Sequence, residues 1–294
     1  MKRFPPVLGA LVLVAVIVGY VVWQRPAEPP PPPAPRKDIV LQYSDGSKMW
    51  GTTGVQYKDA VVTRVFAELA EASLSEESLR ATGAVVRTTI KAKEQTLAAA
   101  VLGRLVAPQR TVQAAVTAID PASGGVRVYL PGFGWGDDVA GERLEPGPGL
   151  VLAGENVVQA RVSALDVSAT YATFGAGGVK RKTHFVAEVT AEDGKTLHRA
   201  PDAADLAYSG EFVDQLTARL KENPACNGIA CAPSPYAAEP GKVQHAWIAG
   251  YTPQLAVTVL VKKRPQYGEE QADVPVDADL PRVVWQEFLA ELGG

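Results

Sequence analysis

The stretch from Ala246 to Lys262 constrains the fold more than any other part of the chain. Its sequence is AWIAGYTPQLAVTVLVK. Ala246–Gly250 is an apolar run, and Gln254–Val261 is rich in β-branched residues. Pro253 lies between them and marks a turn, because proline fixes φ and has no N–H to donate. The pattern predicts a β-hairpin, and two strands this apolar belong in the middle of a sheet with both faces covered.

Composition excludes several classes of function. The chain has 294 residues, 47% hydrophobic and 21% charged, so it can bury the core of one large or two small domains. Its formal net charge of −3 and its scattered Lys and Arg argue against the basic stripe that a nucleic-acid-binding face needs. It has two cysteines, and His184, His198 and His245 are far apart, so we expect neither a metal site nor a cofactor.

The N-terminal stretch predicts a membrane anchor at residues 7–23. Val7–Trp23 is an uncharged apolar run, close to the roughly 20 residues that a spanning helix needs. Lys2 and Arg3 make residues 1–6 a cytoplasmic tail. A cleaved signal peptide is the alternative, but no small-x-small cleavage pattern follows Trp23. We therefore expect a single-pass protein of the cell membrane whose main domain is extracytoplasmic.

Residues 24–37 form a proline-rich linker that includes the uninterrupted run Pro29–Pro33. Such a run favours a semi-rigid polyproline II spacer that rises about 3.1 Å per residue. The alternative is a docking site for a proline-binding domain. Because the segment is expected outside the cytoplasm, we predict a stalk that holds the next domain off the membrane.

The remaining chain alternates strand and helix signatures. β-branched runs between Gly, Asp-Gly or Pro turns predict strands at Ile39–Tyr43, Gly83–Lys91, Thr111–Ile119, Val126–Leu130, His184–Val189 and Lys195–Arg199. Apolar residues at three- and four-residue spacing predict helices at Tyr57–Ala70, Lys93–Ala107, Ser163–Gly178, Phe212–Leu220 and Pro281–Leu292. The pattern predicts an α+β fold with a central antiparallel sheet flanked by helices.

Several strings resemble, in the same order, the transpeptidase domain of class A (bifunctional) penicillin-binding proteins. AWIAGYTPQLA at residues 246–256 is similar to the family's AWFVGYTPQLA, and AIDPASG at 118–124 is similar to its AIDP.TG. The helix at 163–178 resembles PL.MA.AYA.FANGG. The resemblance covers about residues 57–292 and implies a penicillin-binding-protein/β-lactamase-like fold. It divides the chain into an N-terminal linker or pedestal region at 38–110 and a degenerate transpeptidase-like domain at 111–294.

The three motifs with which these transpeptidases work are missing. Ser-x-x-Lys supplies a nucleophile whose proton the lysine takes, Ser-x-Asn relays protons, and Lys-Thr-Gly holds the substrate carboxylate. No serine of the sequence has Lys three positions on or Asn two positions on. Where Lys-Thr-Gly should stand, the chain has Ala232-Pro-Ser-Pro235. We expect these prolines to interrupt the strand edge with which substrate must pair.

A second gap falls at residues 131–162. In the family, a helical subdomain with the first two motifs lies there, and Glu145-Pro-Gly147 stands about where the nucleophile motif begins. The family's glycosyltransferase domain does not follow the linker either. The resemblance therefore implies a truncated, transpeptidase-like pseudoenzyme with no catalytic residues.

Two function classes follow from this reading. The preferred one is a binding or scaffold role in the assembly of cell-wall peptidoglycan, with peptidoglycan or its synthases as partners. The alternative is a divergent D,D-transpeptidase or carboxypeptidase in which Ser163, Ser168 or Ser234 is the nucleophile and a lysine from elsewhere in the fold activates it. A decayed fragment without a role is a third possibility.

Three smaller features complete the set of candidates. Cys226 and Cys231 flank an Asn-Gly pair, and a turn there could bring the two Cα atoms within the roughly 4.4–6.8 Å that a disulfide needs. Two free thiols or a catalytic cysteine are the alternatives. Asp137 and Asp138 are either a carboxylate pair or solvated, and we expect them to be solvated. We expect His245 at the core edge or the surface.

Overall fold

The fold is described from a computed structural model, which covers residues 37–53, 57–132, 137–151, 161–264 and 275–293. The helices are α1 (Ala60–Glu71), α2 (Glu76–Thr82), α3 (Ala92–Leu105), α4 (Ala164–Gly175), α5 (Gly210–Lys221) and α6 (Leu280–Gly293). The strands are β1 (Val40–Gln42), β2 (Lys48–Gly51), β3 (Val85–Thr88), β4 (Val112–Ile119), β5 (Val126–Leu130), β6 (Val179–Arg181), β7 (Val186–Thr190), β8 (Thr196–Arg199), β9 (Ala204–Leu206), β10 (Ala230–Glu239), β11 (Lys242–Tyr251) and β12 (Ala256–Lys263).

The central sheet contains the predicted apolar hairpin. Its strands lie in the order β10-β11-β12-β4-β5, and every neighbouring pair is antiparallel. The hairpin prediction is confirmed, because β11 pairs with β12 from Ala246–Val261 to Tyr251–Ala256. Thr252 closes the turn: its N–H donates to the carbonyl of Leu255, and its hydroxyl accepts from the N–H of Leu255.

The two faces of the central sheet bury separate apolar clusters. On β11, Trp247, Ala249 and Tyr251 face the cluster that contains residues of α4. Ala246 and Ile248 face the opposite cluster, which contains residues of α3 and α6. This alternation follows from the two-residue period of a strand. Full burial stabilises each large apolar side chain by about 1.5–3 kcal/mol, so a hairpin covered on both faces anchors the domain.

A second sheet has the strand order β2-β1-β3-β7-β8. The predicted strand at 39–43 and its Asp-Gly turn are confirmed as the β1–β2 hairpin, with Gly46 at φ 86°. The predicted hairpin at 184–199 is confirmed as β7–β8, but it pairs with β3 and not with the central sheet. The predicted antiparallel sheet flanked by helices is thus confirmed, and the fold has a further sheet that joins residues from both sides of position 110.

The two sheets meet where β5 begins. The hydroxyl of Thr89, just beyond β3, donates to the carbonyl of Val126 at 2.7 Å. Gly125 forms an isolated parallel bridge with His184, beside β7. A Cβ on Gly125 would lie 3.0 Å from the Thr89 methyl group, so the close approach favours glycine there. These contacts tie the pedestal region to the central sheet.

The predicted membrane anchor at 7–23 and the proline-rich linker lie outside the described residues. Within the described ranges, no helix is both long enough and apolar enough to cross a membrane.

Candidate functional site

The free edge of β10 is where the resemblance places the substrate of a transpeptidase. Both Pro233 and Pro235 lie within this strand, opposite Ile248 and Ala246 of β11. The strand itself continues through both prolines, so any interruption is limited to its outer edge. Residues two apart direct their backbone groups to the same side, and proline is tolerated where its missing N–H faces away from the sheet. The prolines therefore leave the ladder to β11 intact and remove two donors from the free edge.

A segment of the chain itself lies along this edge. Ser234 is fully buried, and its hydroxyl donates to the carbonyl of Pro146 at 3.0 Å and accepts from the N–H of Gly149 at 2.8 Å. A Cβ on Gly147 would lie 2.6 Å from the Ser234 Oγ and 3.0 Å from the carbonyl oxygen of Pro235. We call residues 145–149 the edge segment. It sits so close to β10 that side chains larger than hydrogen do not fit at its glycines.

A backbone carbonyl of the edge segment contacts the neighbouring strand β11. The Glu145 carbonyl oxygen lies 2.7 Å from the His245 Nε2 and accepts from the Trp247 Nε1 at 3.2 Å. This contact puts the ring proton of His245 on Nε2, because a carbonyl can only accept. No sequence pattern indicates this contact, because it uses the backbone of Glu145 and not its side chain.

His245 lies deeper than predicted. It is 4% exposed, and its ring stacks on Tyr236 with centroids 4.7 Å apart. Burial lowers the pKa of His245, and the carbonyl of Glu145 opposes this effect by favouring the protonated ring. The imidazole is therefore held as a neutral donor to the edge segment.

The other two candidate serines have structural partners. Ser163 caps α4: its hydroxyl accepts from the N–H of Asp166, whose carboxylate accepts from the N–H of Ser163. Ser168 is fully buried, and its hydroxyl lies 2.6 Å from that of Thr117 and 2.8 Å from that of Thr258. Across the described residues, no Lys or His nitrogen hydrogen-bonds to the hydroxyl of Ser163, Ser168 or Ser234.

Asp137 and Asp138 do not act as a pair. Asp138 accepts from the Arg64 Nη2 at 2.7 Å and from the Tyr129 hydroxyl at 2.6 Å, whereas Asp137 accepts from Gln113. Asp137 is exposed, as expected, whereas Asp138 is only partly exposed and joins α1 to β5. Burial is the main cause that raises the pKa of Tyr129, and the hydrogen bond to the Asp138 carboxylate raises it further. The tyrosine stays a neutral donor.

The two cysteines lie at the start of β10. Cys226 and Cys231 form a disulfide, with their Cα atoms 5.6 Å apart. Asn227 and Gly228 between them have φ of 50° and 78°, the left-handed conformation that an Asn-Gly turn adopts. The disulfide links the start of β10 to the turn that precedes it. No group of three potential metal-ligating side chains occurs in the described part of the chain.

Comparison with known sequences gives one partial match. No family model matches the chain. An alignment of 149 positions, which covers 47% of the chain, is 32% identical to penicillin-binding protein 1A of Mycolicibacterium smegmatis. The alignment spans only 18% of the length of that relative.

Solved structures show the same fold. The penicillin-binding protein PonA1 of Mycobacterium tuberculosis superposes with a TM-score of 0.66, at 18% identity over 78% of this chain and 89% of that one. Penicillin-binding protein 3 of the same organism gives 0.64, at 10% identity over 88% and 97%. A D,D-transpeptidase domain of a peptidoglycan glycosyltransferase from Eggerthella lenta gives 0.61, at 12% identity over 88% and 99%. The predicted resemblance to penicillin-binding-protein transpeptidase domains is confirmed at the level of the fold.

Proposed function

We propose that this chain is a membrane-anchored, extracytoplasmic pseudoenzyme that has the fold of a penicillin-binding-protein transpeptidase domain and acts by binding during cell-wall peptidoglycan assembly. The observation that carries the proposal is the closed edge of β10. There the Ser234 hydroxyl both donates a hydrogen bond to the edge segment and accepts one from it. The fold would then serve for binding, without the transpeptidase reaction.

A substrate peptide that extends a sheet needs donors and acceptors along the free edge of a strand. In β10, Pro233 and Pro235 offer no N–H on that edge, and the edge segment covers their carbonyls. A substrate would have to displace residues 145–149 and would still find two donors missing. The edge is thus poorly suited to the pairing that the resemblance implies for transpeptidation.

Nucleophilic catalysis by serine also needs a base that takes the hydroxyl proton. Ser234 is the only one of the three candidates on β10, and its hydroxyl is engaged by Pro146 and Gly149. Ser163 is a helix cap, and Ser168 is enclosed between α4 and the sheet. These partners do not favour the alternative of a divergent transpeptidase, which acylation of any serine by a β-lactam would support.

The binding role is tested with the full-length protein in detergent micelles. We expect it to co-sediment with purified peptidoglycan or to be retained by immobilised peptidoglycan synthases. Bovine serum albumin and the same protein unfolded in urea serve as controls for non-specific retention. If neither peptidoglycan nor a synthase retains the folded protein, the scaffold role has no support.

A further inference from the structure

The loop that the disulfide closes contains the one Asn-Gly pair of the sequence, Asn227-Gly228. The N–H of Ile229 donates to the carbonyl of Cys226 at 3.0 Å, so the pair occupies the two central positions of a β-turn. Asn227 and Gly228 are exposed, whereas Cys226 and Cys231 are buried. We call residues 226–231 the disulfide loop. It presents the Asn-Gly pair to water on a backbone that is fixed at both ends.

An Asn-Gly pair can lose its amide group in a spontaneous reaction. The glycine nitrogen attacks the asparagine Cγ, the bond from Cγ to the side-chain nitrogen breaks, and ammonia leaves with the proton of the glycine nitrogen. Water then opens the resulting succinimide ring at either carbonyl and gives aspartate or isoaspartate. Glycine favours the attack, because it has no side chain that shields its nitrogen. No atom lies within 4 Å of the position that a Cβ of Gly228 would take, so the surroundings leave room for the reaction.

The conformation of Asn227 prevents this reaction in the folded loop. Ring closure needs the following nitrogen on the same side of the Cα–C bond as Cβ. At Asn227, ψ is 39°, which places the nitrogen of Gly228 nearly opposite to Cβ about that bond. No side-chain rotamer brings Cγ to the nitrogen from there. Asn227 must therefore leave the left-handed conformation before it can react.

The disulfide holds the loop in this unreactive conformation. It keeps the Cα atoms of Cys226 and Cys231 5.6 Å apart at a sequence separation of 5, which leaves the residues between them little freedom. The left-handed conformation costs free energy in residues other than glycine, so Asn227 would leave it if the loop were open. We propose that the Cys226–Cys231 disulfide protects Asn227 from deamidation, so that molecules without the disulfide convert this residue to aspartate or isoaspartate.

The conversion would be irreversible and would affect the central sheet. Aspartate adds a negative charge to the turn, and isoaspartate adds one carbon atom to its main chain. The turn ends at Ile229, and the next residue, Ala230, begins β10 and pairs with Tyr251. An altered turn would displace the start of this strand. Formation of the disulfide thus preserves the entry of the chain into β10, whether or not the protein binds peptidoglycan.

Peptide mass spectrometry of the full-length protein, kept in detergent micelles and isotopically labelled water at pH 7.5, measures deamidation at each asparagine. We expect the double variant C226S/C231S to deamidate at Asn227 at least about tenfold faster than the wild type, because its loop can open. Addition of G228A to that variant should slow the reaction, since the methyl group shields the nitrogen. Asn223 is the internal control: it precedes proline, whose nitrogen has no proton to lose, so it should keep its amide group.

The variant G147A separates the effect of the disulfide from that of general instability. We expect it to be less stable than the wild type, because a Cβ at this position would meet the Ser234 Oγ, while its disulfide stays intact. In urea adjusted to give G147A and C226S/C231S equal folded fractions, G147A should deamidate much more slowly. Equal rates in these two variants would overturn the proposal, as would equal rates in C226S/C231S and the wild type.

Discussion

At the scale of single residues, Ser234 shows how a hydroxyl in an enzyme-like position can become structural. It is buried on the strand that replaces the Lys-Thr-Gly strand of the resembling family, yet both of its bonds go to the backbone of the edge segment. A nucleophile needs a free hydroxyl beside a base, whereas a structural hydroxyl needs fixed partners. The contacts of Ser234 are of the second kind.

We therefore predict that Ser234→Ala costs about 1–3 kcal/mol of unfolding free energy, because it leaves the Gly149 N–H and the Pro146 carbonyl without a buried partner. Urea unfolding of the full-length protein measures the loss. Ser78→Ala, at an exposed position of α2, is the control and should change stability little. An unchanged midpoint for Ser234→Ala would mean that the edge segment is not held by this hydroxyl.

His245 makes stability depend on pH. Burial lowers its pKa from the ordinary value of 6.5, so the unfolded chain binds a proton that the folded chain resists. The stabilisation is fully present above about pH 6.5 and decreases as pH falls below it. Near this ring, Glu145 and Glu142 favour protonation and Lys262 opposes it.

Replacement of His245 by Gln, which keeps a donor for the Glu145 carbonyl, should flatten the pH dependence of stability below neutrality. Urea midpoints at pH 7.5 and pH 5.5 for both proteins give the comparison. His198→Gln, at a half-exposed position on β8, is the matched control. The same loss of stability on acidification in wild type and His245→Gln would contradict this role.

At the scale of elements, β10 and the edge segment form one unit that sequence patterns predict only in part. The hairpin β11–β12 is predictable, because its turn and apolar runs are local signals. The continuation of β10 through two prolines is not predictable from the sequence. It depends on whether the backbone nitrogens of Pro233 and Pro235 face β11 or the outer edge. The closure by residues 145–149 is likewise a tertiary contact between segments about ninety positions apart, such as Pro146 and Ser234.

Gly147→Ala tests this closure. The residue has φ of 70°, and a Cβ would meet the Ser234 Oγ at 2.6 Å. Gly241 has φ of 78° with no atom near its would-be Cβ, so Gly241→Ala reports the backbone strain alone, about 1–2 kcal/mol. We predict that Gly147→Ala loses more unfolding free energy than Gly241→Ala, as measured by urea unfolding. Equal losses would show that the segment does not press on β10.

At the scale of the whole molecule, each of the two large sheets is built from strands that are distant in sequence. The β7–β8 hairpin was predictable from its β-branched runs and Asp-Gly turn, but its pairing with β3 was not. Val86 lies opposite Val189 in that pairing, and no local pattern encodes a contact of this range. Local signals thus identified most elements, whereas the resemblance to penicillin-binding proteins supplied their arrangement.

The same contrast applies to function. The absence of the three catalytic motifs is visible in the sequence, and the closed edge of β10 gives that absence a structural counterpart.

The central claim is that this fold has lost its acyl-transfer site, and reaction with a β-lactam tests it most directly. The full-length protein is incubated with penicillin, and its intact mass is measured beside an active class A penicillin-binding protein treated in the same way. We predict an adduct of one penicillin on the active protein and none on this chain. A stoichiometric adduct that digestion maps to Ser163, Ser168, Ser234 or any other serine would contradict the account.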